Sequence, residues 1–236
     1  MILTEKELFE FIKCPVRYDL YSKGYDIDGE NKLKDYMQLV MNNYYTKIKT
    51  QPHSYNILRN KWDSILKNDE AFASVKSNYM SGLAMINLIN MYFEKNNVEF
   101  LDTNTPYTIE IEGSGVSLKG VMNPIIQTPD EIVIFVFDYG KTLQSREALE
   151  LNLKYNIDAY ACYKFFKKNI TVCVHNVQKG ITTTLHKSTT DYVSLEHTIR
   201  VAGECIRQKL IDRRPSFMCE RCNIKHLCKN WTLDGK

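Results

Sequence analysis

Apolar residues recur every three or four positions through the first hundred residues, which is the spacing of amphipathic helices. The pattern predicts helices over 31–50, 55–68 and 71–96, with shorter helical segments before them. Thr4 and Glu7 have the spacing of a capping box, in which each side chain accepts a hydrogen bond from the other residue's backbone N–H. The N-terminal part of the chain is therefore predicted to form a helical lobe.

The pattern changes after Pro106, where apolar and polar residues alternate as they do in half-buried strands. Strand character continues over 116–126, and the unbroken apolar run at 132–137 is typical of a central strand buried on both faces. The remaining predicted elements are a helix over 145–166, strands near 170–177 and 181–186, and a helix over 191–210. We therefore predict an α/β fold in which a three-strand meander, a helix and two further strands follow the helical lobe.

These changes of pattern divide the chain into four predicted segments. They are an N-terminal helix with one cysteine, the helical lobe, the α/β core and a cysteine-rich tail, with boundaries 1–25, 26–105, 106–212 and 213–236. The length of 236 residues suits one large domain or one domain with an accessory lobe.

Composition narrows the class of protein only slightly. Hydrophobic residues make up 44% and charged residues 25%, as in ordinary globular proteins. The sequence contains no run of about 18 apolar residues, so no membrane-spanning helix is predicted. The N-terminus lacks the basic and apolar regions of a signal peptide, which predicts a cytoplasmic protein with reduced thiols. The net charge of +3 is too small to indicate nucleic-acid binding by itself.

Three cysteines lie close together in the tail, at Cys219, Cys222 and Cys228. A C-x-x-C pair places two sulfurs on one ion or cluster, and soft thiolates select zinc or iron–sulfur clusters. A fourth ligand is needed, and spacing leaves two candidates open: His226 within the tail, or Cys14 at the end of the first predicted helix. The other cysteines lie in apolar patterns and are expected to be small buried residues.

The residues at 14–18, Cys-Pro-Val-Arg-Tyr, resemble the opening motif of RecB-like nucleases of the PD-(D/E)XK superfamily. The tail resembles the closing motif of the same proteins, C-x-x-C followed by a third cysteine. In the AddB nucleases and the CRISPR-associated RecB-like exonucleases, one N-terminal and three C-terminal cysteines hold a 4Fe–4S cluster. The resemblance implies such a cluster, with zinc as the alternative, on Cys14, Cys219, Cys222 and Cys228.

The middle of the chain is similar to the catalytic core of these nucleases. Segments 118–123, 128–130 and 136–142 follow the order of the family's motifs, and 156–160 resembles its Q-x-x-x-Y motif. The resemblance extends from about residue 8 to 228, although residues 26–105 match only as a generic helical insertion. By this resemblance the catalytic positions are Asn123, Asp138, Lys141, Asn156 and Tyr160.

The chemistry of that fold needs acidic side chains on adjacent strands to hold Mg²⁺ or Mn²⁺, and a lysine two residues beyond the second acid. Asn123 stands where the first acid is expected, and it brings no negative charge. Gly140 separates Asp138 from Lys141, so a regular strand would point the two side chains to opposite faces unless Gly140 forms a bulge. The site is therefore predicted to be degenerate and inactive.

Three functions follow from the resemblance and its departures. The favoured one is a DNA-binding, catalytically inactive protein that acts with protein partners in replication, recombination or transcription. The second is an active DNA exonuclease that uses Mg²⁺ or Mn²⁺, and the third is an interaction scaffold that does not bind DNA. The residues expected to contact DNA are Tyr139, Arg146 and Lys154. The composition, rich in Asn and Lys, is similar to that of bacteriophage or low-GC bacterial proteins, which for a phage protein implies the cytoplasm of a bacterial host.

Overall fold

The computed structural model describes residues 1–25, 27, 32–69, 72, 76–96, 100–127, 131–212, 214–216, 219–220 and 222–228. The chain forms two compact units, and each combines segments that are distant in sequence. The first consists of Met1–Glu30, Pro106–Gly120 and Thr189–Lys236, and the second of Asn31–Thr105 and Val121–Ser188.

The chain combines helices with two β-sheets, which confirms the predicted α/β fold class. The helices are α1 (Glu5–Lys13), α2 (Pro15–Ser22), α3 (Lys32–Ile48), α4 (Tyr55–Asn68), α5 (Lys76–Asn96), α6 (Arg146–Glu150), α7 (Leu153–Phe166) and α8 (Thr189–Arg207), followed by a short 3₁₀ turn at Lys225–Leu227. The strands are β1 (Ile2–Thr4), β2 (Pro106–Ile111), β3 (Val116–Val121), β4 (Ile125–Gln127), β5 (Glu131–Asp138), β6 (Asn169–Asn176) and β7 (Ile181–Lys187). Within the described part of the chain, no helix has the length and apolar character needed to cross a membrane.

The predicted capping box starts the first helix of the first unit. Thr4 Oγ1 accepts a hydrogen bond from the Glu7 N–H at 3.1 Å, and the Glu7 carboxylate accepts one from the Thr4 N–H at 2.7 Å. α1 ends at Cys14, whose extended backbone leads directly into α2. The first N–H groups of a helix have no hydrogen-bond partner within the helix. Pro15 has no N–H and therefore suits the first position of α2. Cys14 thus lies at a sharp junction between two helices.

The sheet of the first unit has the strand order β1-β3-β2, with β1 parallel to β3. Helix α8 packs against α1 and β2. A Cβ atom on Gly203 would lie 2.5 Å from the Val116 Cγ2 atom, so only glycine allows this part of α8 to approach β3 so closely. The segments at both ends of the chain are therefore packed in one unit.

The sheet of the second unit has the strand order β4-β5-β6-β7, with β5 and β6 parallel and the outer pairs antiparallel. Helix α7 lies between β5 and β6 in the chain and packs against both strands. Helices α3, α4 and α5 form an apolar cluster around the buried Trp62, and Phe135 and Phe137 of β5 join it. This cluster supports the strand that carries Asp138 at its end.

Two predicted elements are interrupted in the structure. The strand predicted over 116–126 is divided between the two sheets, because Pro124 has no N–H to continue the ladder and Ile125 pairs with Ile134 of β5. The helix predicted over 145–166 is two helices, since Ser145 caps α6 and Asn152 caps α7. The motif segment 128–130 and most of the start of the helix predicted over 71–96 lie outside the described residues.

Candidate functional site

The catalytic positions implied by the resemblance all belong to the second unit. β5 and β6 are parallel, so their carboxyl ends meet at one edge of the sheet, where Asp138 pairs in register with Asn176. Asn123 lies between β3 and β4, and Asn156 and Tyr160 lie on α7. The fold therefore supplies polar side chains at the carboxyl edge of a parallel strand pair.

Both carboxylate oxygens of Asp138 accept hydrogen bonds from neighbouring groups. The Gly140 N–H donates to Oδ1 at 3.0 Å, and Asn176 Nδ2 donates to Oδ2 at 2.8 Å. Asn176 is only 3% exposed, and its amide also donates to the Gly140 carbonyl at 3.0 Å. A divalent cation on Asp138 would have to share these two oxygens with the donors.

The bulge considered at Gly140 does not form, because β5 ends at Asp138. A Cβ atom at position 140 would lie 3.1 Å from Asp138 Oδ1, so glycine allows the backbone to close over the carboxylate. Lys141 follows this turn and is exposed, and no ion pair joins it to Asp138 or to another described residue. Lys141 therefore lies beyond the end of β5 and not on a face of that strand.

Asn123 contacts a buried carboxylate that the sequence patterns did not single out, that of Asp158. Asn123 Nδ2 donates to Asp158 Oδ2 at 2.7 Å, and the Asn123 N–H donates to the same atom at 3.3 Å. Lys154 Nζ donates to Asp158 Oδ1 at 2.7 Å and to the Val121 carbonyl at 2.6 Å. Asp158 is 0% exposed, and its charge is stabilised by the Asn123 amide and the Lys154 ammonium group.

The contact with Asp158 explains the residue type at position 123. An aspartate there would bring two carboxylates to hydrogen-bonding distance, where both cannot be ionised without a cation between them. Asparagine instead presents a donor to Asp158. Two sequence signals could have identified Asp158: it interrupts the apolar face of α7, and it follows Lys154 by four residues, the spacing of a helical ion pair.

Tyr155 lies near both carboxylates. Burial raises the pKa of its phenol to about 12, and the negative charges of Asp138 and Asp158 act in the same direction. The hydroxyl therefore remains protonated at neutral pH and available as a hydrogen-bond donor.

The two remaining catalytic positions are Asn156 and Tyr160 of α7. Asn156 Nδ2 donates to the Glu150 carbonyl at 3.1 Å, at the end of α6, and its buried Oδ1 finds no partner among the described residues. Tyr160 is buried, and the Lys164 ammonium lies 5.2 Å from the centre of its ring. Asn156 thus links α6 to α7.

The three residues expected to contact DNA have different environments. Tyr139 is partly buried against the apolar cluster of α3, α4 and α5, and burial raises the pKa of its phenol. Arg146 is exposed and pairs with Glu150 at 2.8 Å. Lys154 is bound to Asp158, with 30% of its side chain exposed. Arg146 therefore offers the most accessible charge of the three.

The four cysteines implied for a cluster all belong to the first unit, and each is partly exposed and free of disulfide bonds. Arg17, three residues after Cys14, reaches the tail, where its Nη1 lies 3.6 Å from Cys222 Sγ and 3.1 Å from Asn223 Oδ1. His226 is exposed on the 3₁₀ turn. Among the described residues, no three Cys, His, Asp or Glu side chains converge on one point where a metal ion could bind.

Arg17 also anchors the tail to the helices on either side of Cys14. Its Nε donates to Glu10 Oε2 at 2.6 Å, and its Nη2 donates to the Ile27 carbonyl at 3.0 Å. Asn223 Nδ2 donates to the same carbonyl at 2.7 Å. Burial acts to lower the pKa of Arg17, but the pKa is raised overall because Glu10, with a smaller contribution from Cys222, stabilises the charged guanidinium. The sequence could not indicate this role, since Arg17 and Asn223 lie at opposite ends of the chain.

A second arginine makes a similar link between the tail and α1. Arg214 Nη1 donates to the Ile12 carbonyl at 3.2 Å, and its guanidinium lies 5.4 Å from the centre of the Phe11 ring. Ile224 of the tail is buried. Polar and apolar contacts therefore hold the tail against α1 and α2.

Comparison with known proteins gives a structural relative but no sequence family. The sequence matches no protein-family model and no curated protein. The fold is similar to that of a candidate exonuclease from Eubacterium rectale, with a TM-score of 0.57 and 12% sequence identity, covering 95% of this chain and 87% of that one. The structure of SSO0001 is more distant, with a TM-score of 0.39 and 11% identity, covering 91% of this chain and 94% of that one. The chain therefore has a nuclease-like α/β fold.

Proposed function

We propose that this protein binds DNA through a nuclease-like fold without cutting it. The observation that carries the proposal is the hydrogen bonding of the two carboxylates. Asp138 is occupied by the Gly140 N–H and by Asn176, and Asp158 is occupied by Asn123 and Lys154. Nuclease chemistry needs carboxylate oxygens that are free to hold a divalent cation.

DNA binding without cleavage needs cations rather than carboxylates. Lys141 and Lys179 are exposed on the segments that follow β5 and β6, and Arg146 is exposed at the start of α6. These three side chains can contact phosphates near the carboxyl edge of the sheet. Asn123 also favours DNA binding, because it adds no negative charge that would repel the DNA phosphates.

We further propose that Cys14, Cys219, Cys222 and Cys228 hold a 4Fe–4S cluster, with zinc as the alternative. Four free thiols in one compact unit form the donor set that such a cluster requires. When bound, the cluster would cross-link the two ends of the chain. The contacts of Arg17 with Cys222 and Asn223 support this assignment, because they already hold the tail against the helices that flank Cys14.

The proposal extends to the process and the compartment in which the protein acts. A DNA-binding protein without nuclease activity would act with protein partners in replication, recombination or transcription. Its compartment would be the cytoplasm of a bacterium, or that of the host if the protein is encoded by a phage.

Parallel cleavage and binding assays test the proposal. Labelled single- and double-stranded DNA is incubated with the protein and Mn²⁺, and binding is measured as a function of salt. We expect intact DNA, and binding that weakens steeply as salt rises. Cleavage by the wild type that is lost in Asp138→Ala would establish the active exonuclease instead, and no binding at low salt would favour the scaffold.

Metal analysis tests the cluster separately. Protein purified without oxygen should be brown and contain about four irons per chain. One zinc per chain in colourless protein would contradict the cluster.

A further inference from the structure

A second surface of the protein is polar and lies outside the candidate site. Helices α3 and α4 of the second unit border an open groove of about 670 Å³. Its lining is rich in amides and hydroxyls, contains two lysines and has no carboxylate: Asn43, Lys47, Gln51, Pro52, Ser54, Asn56, Ile57, Asn60, Lys61 and Ser64. The groove lies outside the candidate catalytic positions, and no step proposed above uses it.

The polar residues of the groove follow the helical repeat. Asn43 and Lys47 are four residues apart on α3, and Asn56, Asn60 and Ser64 follow at four-residue steps on α4. Residues four apart lie on one face of a helix, so each helix presents a continuous row of hydrogen-bonding groups. The row on α4 is about 12 Å long.

The two lysines are available to a ligand. Neither Lys47 nor Lys61 forms an ion pair or a side-chain hydrogen bond within the described part of the chain, whereas Lys49 pairs with Asp102 just outside the groove. Asp63 of α4 is engaged by Arg59 at 2.8 Å and does not line the groove. The groove therefore has a local positive charge on a chain whose net charge is only +3.

We infer that this groove binds the sugar–phosphate backbone of single-stranded DNA. Lysines supply the attraction to phosphate, and amide side chains can bond both phosphates and unpaired base edges. A duplex is read by an element that projects into its grooves, whereas this surface is concave. The inference rests on the proposed DNA binding and adds a second contact region, on the helical part of the second unit.

Charge reversal in the groove tests this inference. Lys47→Glu and Lys61→Glu are each compared with Lys95→Glu, which makes the same change of net charge at an exposed site on α5 that does not line the groove. Binding of a labelled thymidine oligonucleotide is followed by fluorescence anisotropy across a range of salt concentrations. Circular dichroism establishes that each variant is folded, and Lys47→Gln and Lys61→Gln provide milder changes.

We expect each groove reversal to weaken binding roughly tenfold and to reduce the slope of log affinity against log salt by about 0.7 for each lost phosphate contact. Lys95→Glu should stay within about twofold of the wild type. Equal effects of all three reversals would overturn the groove while leaving the proposed DNA binding intact. Equal competition by a duplex of the same length would overturn its single-strand preference, and no binding by the wild type would overturn both proposals.

Discussion

Replacing Arg17 with alanine should release the cysteine-rich tail and destabilise the first unit, even in metal-free protein. The Arg17 side chain is 16% exposed and its partner Glu10 is 3% exposed. Removing one member of such a pair leaves a buried charge without its main partner, which typically costs about 3–5 kcal/mol. Lys13, which lies 2.9 Å from the other Glu10 oxygen, would compensate in part.

We therefore expect Arg17→Ala to lower the free energy of unfolding by about 3 kcal/mol. For a chain of this size, that corresponds to a fall in Tm of about 6 to 12 °C. The assay is thermal and urea unfolding of metal-free, reduced protein, combined with limited proteolysis of the tail. Lys13→Ala is the matched control, because the Lys13 side chain is 48% exposed and its removal leaves Arg17 on the same carboxylate. We expect it to cost less than about 1 kcal/mol.

A double variant separates the buried charge from simple loss of contacts. Glu10→Gln combined with Arg17→Met removes both charges and keeps most of the side-chain volume. It should cost less than Arg17→Ala alone, because no unpaired carboxylate remains. The reasoning would be refuted if Arg17→Ala were as mild as Lys13→Ala, or if its tail resisted protease as well as that of the wild type.

Four further substitutions probe other parts of the structure. Asn123→Asp introduces the acidic residue that the resemblance to RecB-like nucleases leads one to expect at this position. It should lower the free energy of unfolding by about 2 kcal/mol, because it faces the buried carboxylate of Asp158. The pKa of the new carboxyl would be raised in the folded protein, so the loss of stability should appear as pH rises above about 4 and shrink below it. Urea unfolding at several pH values measures this loss, and a loss that does not depend on pH would contradict the explanation. Gly82→Ala should lower the free energy of unfolding by about 1–3 kcal/mol, because its Cβ would lie 2.1 Å from the Trp62 ring, and an unchanged Tm would disprove that close approach. Cys14→Ala should lose iron and His226→Ala should retain it, and the opposite result in metal analysis would make His226 the fourth ligand.

Local patterns predicted the helices, the capping box at Thr4 and the strands well, because periodicity and capping depend on residues that are neighbours in sequence. The break after β3 required knowledge of the second sheet, since Pro124 alone was compatible with either a bulge or an edge strand. The two compact units could not be predicted, because each joins segments that lie far apart in the sequence.

The candidate site shows the same division between local and distant information. The sequence identified Asn123 as a departure from the nuclease motifs and Asp138 as a match. The side chains that bond to them, Asp158 and Asn176, are 35 and 38 residues away in the sequence. Asp158 was therefore missed, although its pairing with Asn123 accounts for the residue type at that position. Arg17 was quoted only as part of a motif, because its contact with Cys222 spans 205 residues.

The most direct test of the occupied carboxylates is a titration of the wild type and Asp138→Ala with Mn²⁺, followed by electron paramagnetic resonance with and without DNA. We predict that the wild type binds no Mn²⁺ beyond the amount bound by Asp138→Ala, because both oxygens of Asp138 already accept hydrogen bonds and Asn123 supplies no second carboxylate. Tight binding of one Mn²⁺ per chain that is lost in Asp138→Ala would contradict the account.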